Sequence, residues 1–61
     1  MILTLRIEDS IVVPYIDGER ITRVVGIDKS VSEHMITEDR CNGIYVFEGE
    51  FEIRDGWIYA K

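Results

Sequence analysis

Sixty-one residues make one domain, with twelve acidic against seven basic side chains, a net charge of −5 and an apolar fraction of 46%. The acidic excess argues against a protein that lives on phosphate attraction, because such domains usually carry a basic surplus. A single cysteine, Cys41, and a single histidine, His34, leave neither an internal disulfide nor a zinc ligand set. The chain shows no charged-then-apolar leader and no apolar run of about eighteen residues, so a cytoplasmic protein with no membrane segment is expected. The lone thiol suits a reducing compartment. Short chains bury a small share of their surface and need a staple. With disulfide and metal excluded, a homodimer is the expectation.

Ile2 to Ile7 alternates, with Leu3, Leu5 and Ile7 on one side and Ile2, Thr4 and Arg6 on the other. That is the period of a strand. Glu8-Asp9-Ser10 is a polar turn, and Ile11 to Ile16 is a second, β-branched and aromatic strand. Asp17-Gly18 is a two-residue hairpin signal. It leads into a third strand, Glu19 to about Ile27, and pairs Tyr15 with Arg20, Val13 with Thr22 and Ile11 with Val24. Pro14 lacks an N–H and belongs at an edge or bulge. The second strand is therefore expected at an edge or bulged there, with the first strand pairing elsewhere, another chain included.

Ser30-Val31-Ser32-Glu33 matches a capping box. Val31 and Met35 then share a helical face, and Asn42-Gly43 supplies a stop. The reading is a short helix from about Val31 to Arg40; a loop with a short strand at His34 to Thr37 competes with it.

Ile44 to Lys61 reads as a three-stranded antiparallel meander with turns at Glu48-Gly49 and Asp55-Gly56. The first turn places Phe47 opposite Glu50, Val46 opposite Phe51, Tyr45 opposite Glu52 and Ile44 opposite Ile53. The second places Arg54 opposite Trp57, Ile53 opposite Ile58, Glu52 opposite Tyr59 and Phe51 opposite Ala60. One face is then Ile44, Val46, Phe51, Ile53, Ile58 and Ala60, the expected core side. The other carries Tyr45, Phe47, Glu50, Glu52, Arg54, Trp57, Tyr59 and Lys61, with Arg54 free to stack on Trp57. The fold class is mainly β, with a small α+β arrangement open: a compact antiparallel sheet or small barrel of about six short strands with one short helix or helical turn.

The aromatic, acidic face of the meander is the candidate working surface. Exposed apolar patches on small proteins mark interfaces, and Tyr, Trp and Arg are enriched in binding hot spots. The partner-binding set is Tyr45, Phe47, Glu50, Glu52, Arg54, Trp57 and Tyr59. The functional reading is a non-enzymatic protein-binding module, an inhibitor or adaptor of the kind compact viral genes encode, with a protein as partner. Two alternatives stay open. Glu48, Glu50, Glu52 and Asp55 could imitate phosphates in a basic groove, or Arg6, Arg20 and Arg23 beside Tyr15 could contact RNA.

Catalysis has weaker support. Glu50 and Glu52 share a face, but two-carboxylate chemistry needs a deep cleft. His34 and Glu38, with Asp28, Glu33 and Asp39 nearby, make a poor metal set. Cys41 has Arg40 adjacent and His34 in the same segment but no evident orienting group, and reads as a small buried filler at the helix end. No catalytic residue, cofactor or metal is expected.

Met1-Ile2-Leu3-Thr4-Leu5-Arg6 and Ile16-Asp17-Gly18-Glu19-Arg20-Ile21-Thr22 resemble the start of the carbon storage regulator family, small β-rich dimers that bind mRNA leaders. The likeness covers under half of the chain and stops near Ile27. That family's later Ala-Pro step and basic C-terminal stretch have no counterpart here. The resemblance implies a strand-exchanged dimer and RNA binding; it assigns no residue a role.

Overall fold

The computed structural model describes all 61 residues. In chain order it contains β1 (Ile2–Glu8), β2 (Ile11–Ile16), β3 (Glu19–Arg20), β4 (Gly26–Ile27), a 3-10 helix (Lys29–His34), β5 (Met35–Asp39), β6 (Ile44–Glu48), β7 (Phe51–Arg54) and β8 (Trp57–Ala60). A five-stranded antiparallel sheet has the order β3-β2-β1-β6-β5, and a three-stranded sheet has the order β4-β8-β7. The fold is mainly β, as expected, with no closed barrel. Short β4 runs parallel to β8, a pairing that the antiparallel reading did not contain. No helix is long and apolar enough to cross a membrane.

Three two-residue turns make the hairpins. Asp9-Ser10, Asp17-Gly18 and Asp55-Gly56 each hold successive residues at positive φ: 52° and 66°, 49° and 84°, 51° and 82°. Both central residues at positive φ is the twist-matched hairpin geometry. Asp tolerates it because its short carboxylate bonds locally. Glu48-Gly49 does not turn. Glu has no such tolerance, and the pairing with β1 continues through Gly49, where the chain bends without a hairpin: Gly49 N–H donates to Met1 C=O at 3.1 Å, and the Met1 ammonium donates to Gly49 C=O at 2.9 Å. This extends the β1–β6 ladder by one step.

The expected three-stranded meander is therefore split. β6 leaves β7 and pairs with β1 and β5 in the large sheet. Leu3 lies opposite Phe47 and Leu5 opposite Tyr45, so those rings join the leucines' face. Phe47 is 5% exposed, in the core with Leu3, Val31, Phe51 and Ile58, and Tyr45 packs against that core. Ile44 and Val46 take the other face. A strand's two sets of side chains exchange together, because the period is two. Ile53, expected in the core, is 42% exposed, near the free end of the small sheet.

β1 is central, with both edges paired inside the chain. β2 lies beside it, and the predicted Tyr15–Arg20 pair forms together with Ile16–Glu19. The predicted Val13–Thr22 and Ile11–Val24 pairs do not form. Pro14 is the reason: its C=O accepts from Ile21 N–H at 2.9 Å, but it has no N–H to return. The third strand stops at Arg20, and the chain crosses to the small sheet as β4.

The expected helix from Val31 to Arg40 is only the 3-10 helix, and the competing strand is real as β5. The N-cap is Asp28, whose carboxylate accepts from Ser30 N–H at 3.0 Å, not Ser30. Val31 seals the core at 0% exposure. Met35, its expected face-mate, is 40% exposed on edge strand β5. Asn42-Gly43 belongs to the β5–β6 turn rather than to a helix stop.

Candidate functional site

The β7–β8 hairpin has the register expected of it: Phe51 opposite Ala60, Glu52 opposite Tyr59, Ile53 opposite Ile58 and Arg54 opposite Trp57. Lys61 N–H donates to Glu50 C=O at 2.9 Å, one step further. Phe51 and Ile58 point into the core. Glu50, Glu52, Arg54, Trp57 and Tyr59 consequently share the outer face of the small sheet.

The Arg54 guanidinium lies 4.6 Å from the Tyr59 ring centroid and 3.8 Å from Glu52 Oε1. It stacks on Tyr59 across the diagonal, not on Trp57 directly opposite. The ion pair is exposed and contributes ~0–1 kcal/mol. The stack adds ~0.5–1 kcal/mol at an exposed position. These terms order the three side chains without burying them.

Trp57 is ordered differently. β4 puts Gly26 beside it. A Cβ on Gly26 would stand 2.5 Å from Trp57 Cζ3 and 2.8 Å from Cη2, so the indole lies flat against a backbone that only glycine leaves bare. Trp57 remains 40% exposed.

Tyr45 and Phe47 do not belong to this surface. They stand on the inner side of the other sheet, for the register reason given above. The acidic row is divided too: Glu48 sits on the large sheet opposite Ile2, while Glu52 is engaged by Arg54.

The remaining candidates are placed as follows. His34 ends the 3-10 helix, edge-on to Phe51 with ring centroids 5.9 Å apart and packed against Gly49. Glu38 is on β5, so it shares no helical face with His34. No group of three His, Cys, Asp or Glu side chains converges. Cys41 is exposed in the β5–β6 turn, against the expectation of a buried filler. Arg6 lies 6.0 Å above the Tyr15 ring, and Arg20 is opposite Tyr15. Glu8 occupies the same spot: it accepts from the Tyr15 hydroxyl at 3.0 Å and lies 3.9 Å from Arg6 Nε.

Three ionisable groups depart from their ordinary values. Ser30, through its hydroxyl and then its backbone N–H, holds Asp28 below the usual carboxylate range. Asn42 does the same to Asp39 through its side-chain amide, 2.8 Å away, and then its backbone N–H, 3.1 Å away. The bond to Glu38 raises Arg40. All three serve turns and caps rather than a reaction centre.

Sequence reasoning missed Gly26 and a pair of grooves beside β2. Pro14 was the available signal for the grooves, since it marks where the ladder must fail. No protein-family model matches the chain, and no curated protein or solved structure is significantly similar to it.

Proposed function

We propose that this protein is a non-enzymatic protein-recognition module, an inhibitor or adaptor, whose contact residues are Glu50, Glu52, Arg54, Trp57 and Tyr59. One observation carries the reading: Trp57 is held flat on Gly26 and left 40% open, next to an Arg54–Tyr59 stack. Trp and Tyr lose little entropy on binding, Arg54 is already ordered by its stack on Tyr59, and all three residue types are enriched in interface hot spots. Glu50 and Glu52 suit a partner with basic groups around an apolar centre.

Trp57→Ala combined with Tyr59→Ala tests it. The double variant should keep its strand circular-dichroism signal and lose the cross-linked protein partner that wild type captures. Undiminished capture by the folded double variant would end the proposal.

The RNA alternative rests on Arg6, Arg20 and Tyr15 sharing one face of the large sheet. Filter binding to a structured RNA should then fall steeply with salt. Absence of binding at low salt removes that alternative.

A further inference from the structure

Pro14 leaves β2 with an unfinished edge. Its C=O is bonded to Ile21 N–H, but the reciprocal bond of that antiparallel pair is missing. Arg23, at φ 62°, then turns the chain away, a conformation uncommon outside glycine. Along a strand, every second residue presents its N–H and C=O to the same neighbour. Val12 therefore faces the same side as Pro14. β3 reaches only Tyr15 and Ile16, so the polar backbone of Val12 opens onto an empty lane where a further strand would lie.

The surroundings of that lane are apolar and cationic. A groove of ≈ 200 Å³ is lined by Ile11–Pro14 and Arg20–Val24. A second, of ≈ 270 Å³, adjoins it and is lined by Val12, Pro14, Val24, Val25, Gly26 and Ile27, with no charged residue. Ile11, Val12 and Val25 are 64%, 52% and 72% exposed. Exposed β-branched side chains beside an unpaired strand edge form a template for another strand. Arg20 and Arg23 line the first groove, and neither forms an ion pair within a chain that holds twelve carboxylates.

We propose that the Ile11–Val13 edge is a strand-addition site for an extended apolar segment of a partner protein that bears a carboxylate next to Arg20 and Arg23. Main-chain bonds to Val12 supply affinity, and alternate side chains of the segment enter the apolar groove. The two guanidiniums, free of internal partners, take the carboxylate in charge-assisted bonds. The lane is closed at one end by the Pro14–Ile21 bond and bounded on its far side by residues 20–24, a setting that favours a single short segment with free edges over the sheet edge of a second copy. This site is separate from the Trp57–Tyr59 face and does not depend on that face binding anything.

The test uses the full ¹⁵N-labelled chain and a short peptide of alternating valine and threonine with a blocked N-terminus and a free C-terminal carboxylate. Binding should shift the amides of Ile11, Val12 and Val13 and slow hydrogen exchange at Val12. C-terminal amidation of the peptide, or Arg20→Gln with Arg23→Gln in the protein, should weaken binding about tenfold or more. Both arginines are exposed, so the double variant folds; its spectrum away from the groove verifies this. N-methylation at the peptide's centre should abolish binding. The proposal is overturned by equal affinity for acid and amide peptides, by shifts confined to Trp57 and Tyr59, or by no saturable binding. It is equally overturned if Val12 N–H is already slow to exchange without peptide, because Thr22–Val24 or a second copy would then fill the lane.

Discussion

Gly26→Ala probes the placement of Trp57, and its sign is decided by two opposed terms. Alanine in place of glycine in a strand ordinarily stabilises, by ~0.5–1 kcal/mol. Here the added methyl would stand 2.5 Å from the indole, a distance that forces the ring to move. The ring can move because 40% of it is already exposed. A fully buried aromatic removes ~150–250 Å² from water, and Trp57, at 40% exposure, has only part of that area covered. If the displaced ring loses roughly 100 Å² of its cover, the cost at ~25 cal/mol per Å² is about 2.5 kcal/mol. The net effect is a loss of about 1.5–2 kcal/mol. Trp57 is the only tryptophan, so its emission maximum reports the displacement directly and should move to longer wavelength. Urea unfolding followed by far-ultraviolet circular dichroism should show the midpoint falling by roughly 1.5–2 M, given a slope of about 1 kcal/mol/M for so small a chain. A variant with unchanged emission and raised stability would refute the reasoning, since the indole would then not rest on Gly26.

Three other outcomes follow from the same structure. Phe47→Ala should cost ~3–5 kcal/mol by cavity formation in the core, whereas Val46→Ala on the opposite face should cost well under half of that; urea unfolding of the two variants ranks them, and the reverse order would restore the meander. Asp28 and Asp39 are depressed in the folded state by Ser30 and Asn42 respectively, so the stability they contribute is present above the unfolded carboxylate value of ~3.9 and disappears as pH falls through the lower folded values. Thermal unfolding from pH 6 downward should show that loss in wild type, with a shallower fall in Asp28→Asn combined with Asp39→Asn. Cys41 stands in solvent, so iodoacetamide should modify the native protein about as fast as the urea-unfolded chain; strong native protection, read by mass spectrometry, would contradict its position in the turn.

The parts of this fold legible in the sequence are those where one short turn settles the register. Asp55-Gly56 gives all four β7–β8 pairs, and Asp17-Gly18 gives Tyr15–Arg20. The Glu48-Gly49 step has the same outward form, but its fate depends on residues more than forty positions away, at Met1 and Leu3. Local reasoning cannot weigh that competition, and the price was an inverted β6: Tyr45 and Phe47 moved from the proposed surface to the interior, and Ile44 and Val46 moved out. The segment from Ser30 to Arg40 failed for a similar reason. Its capping box is genuine in form, yet Asp28 caps two residues earlier, and β-branched Ile36 and Thr37 favour the edge of the large sheet over a helix too short to stand alone. Of the seven residues expected at the site, Glu50, Glu52, Arg54, Trp57 and Tyr59 remain together because they belong to the one hairpin whose register was local.

Both candidate surfaces lean on residues 21–27, and on backbone exceptions rather than on side-chain chemistry. Pro14 withholds one hydrogen bond, so Thr22–Val24 cannot close on β2. Freed from that ladder, the segment reaches the other sheet, where Val25 N–H donates to Gly56 C=O at 2.6 Å and Asp28 N–H donates to Ile58 C=O at 2.8 Å. Gly26, arriving there without a side chain, gives Trp57 its bed. One missing N–H thus accounts for an open lane on the large sheet, and the detour it causes supplies the strand that orders the aromatic face of the small one. A residue at position 14 able to donate would favour the continuous hairpin that the sequence pattern suggests, with Val13 opposite Thr22. That hairpin would fill the lane and draw Gly26 away from Trp57, so the proline, rather than either set of contact residues, is the position on which both surfaces depend.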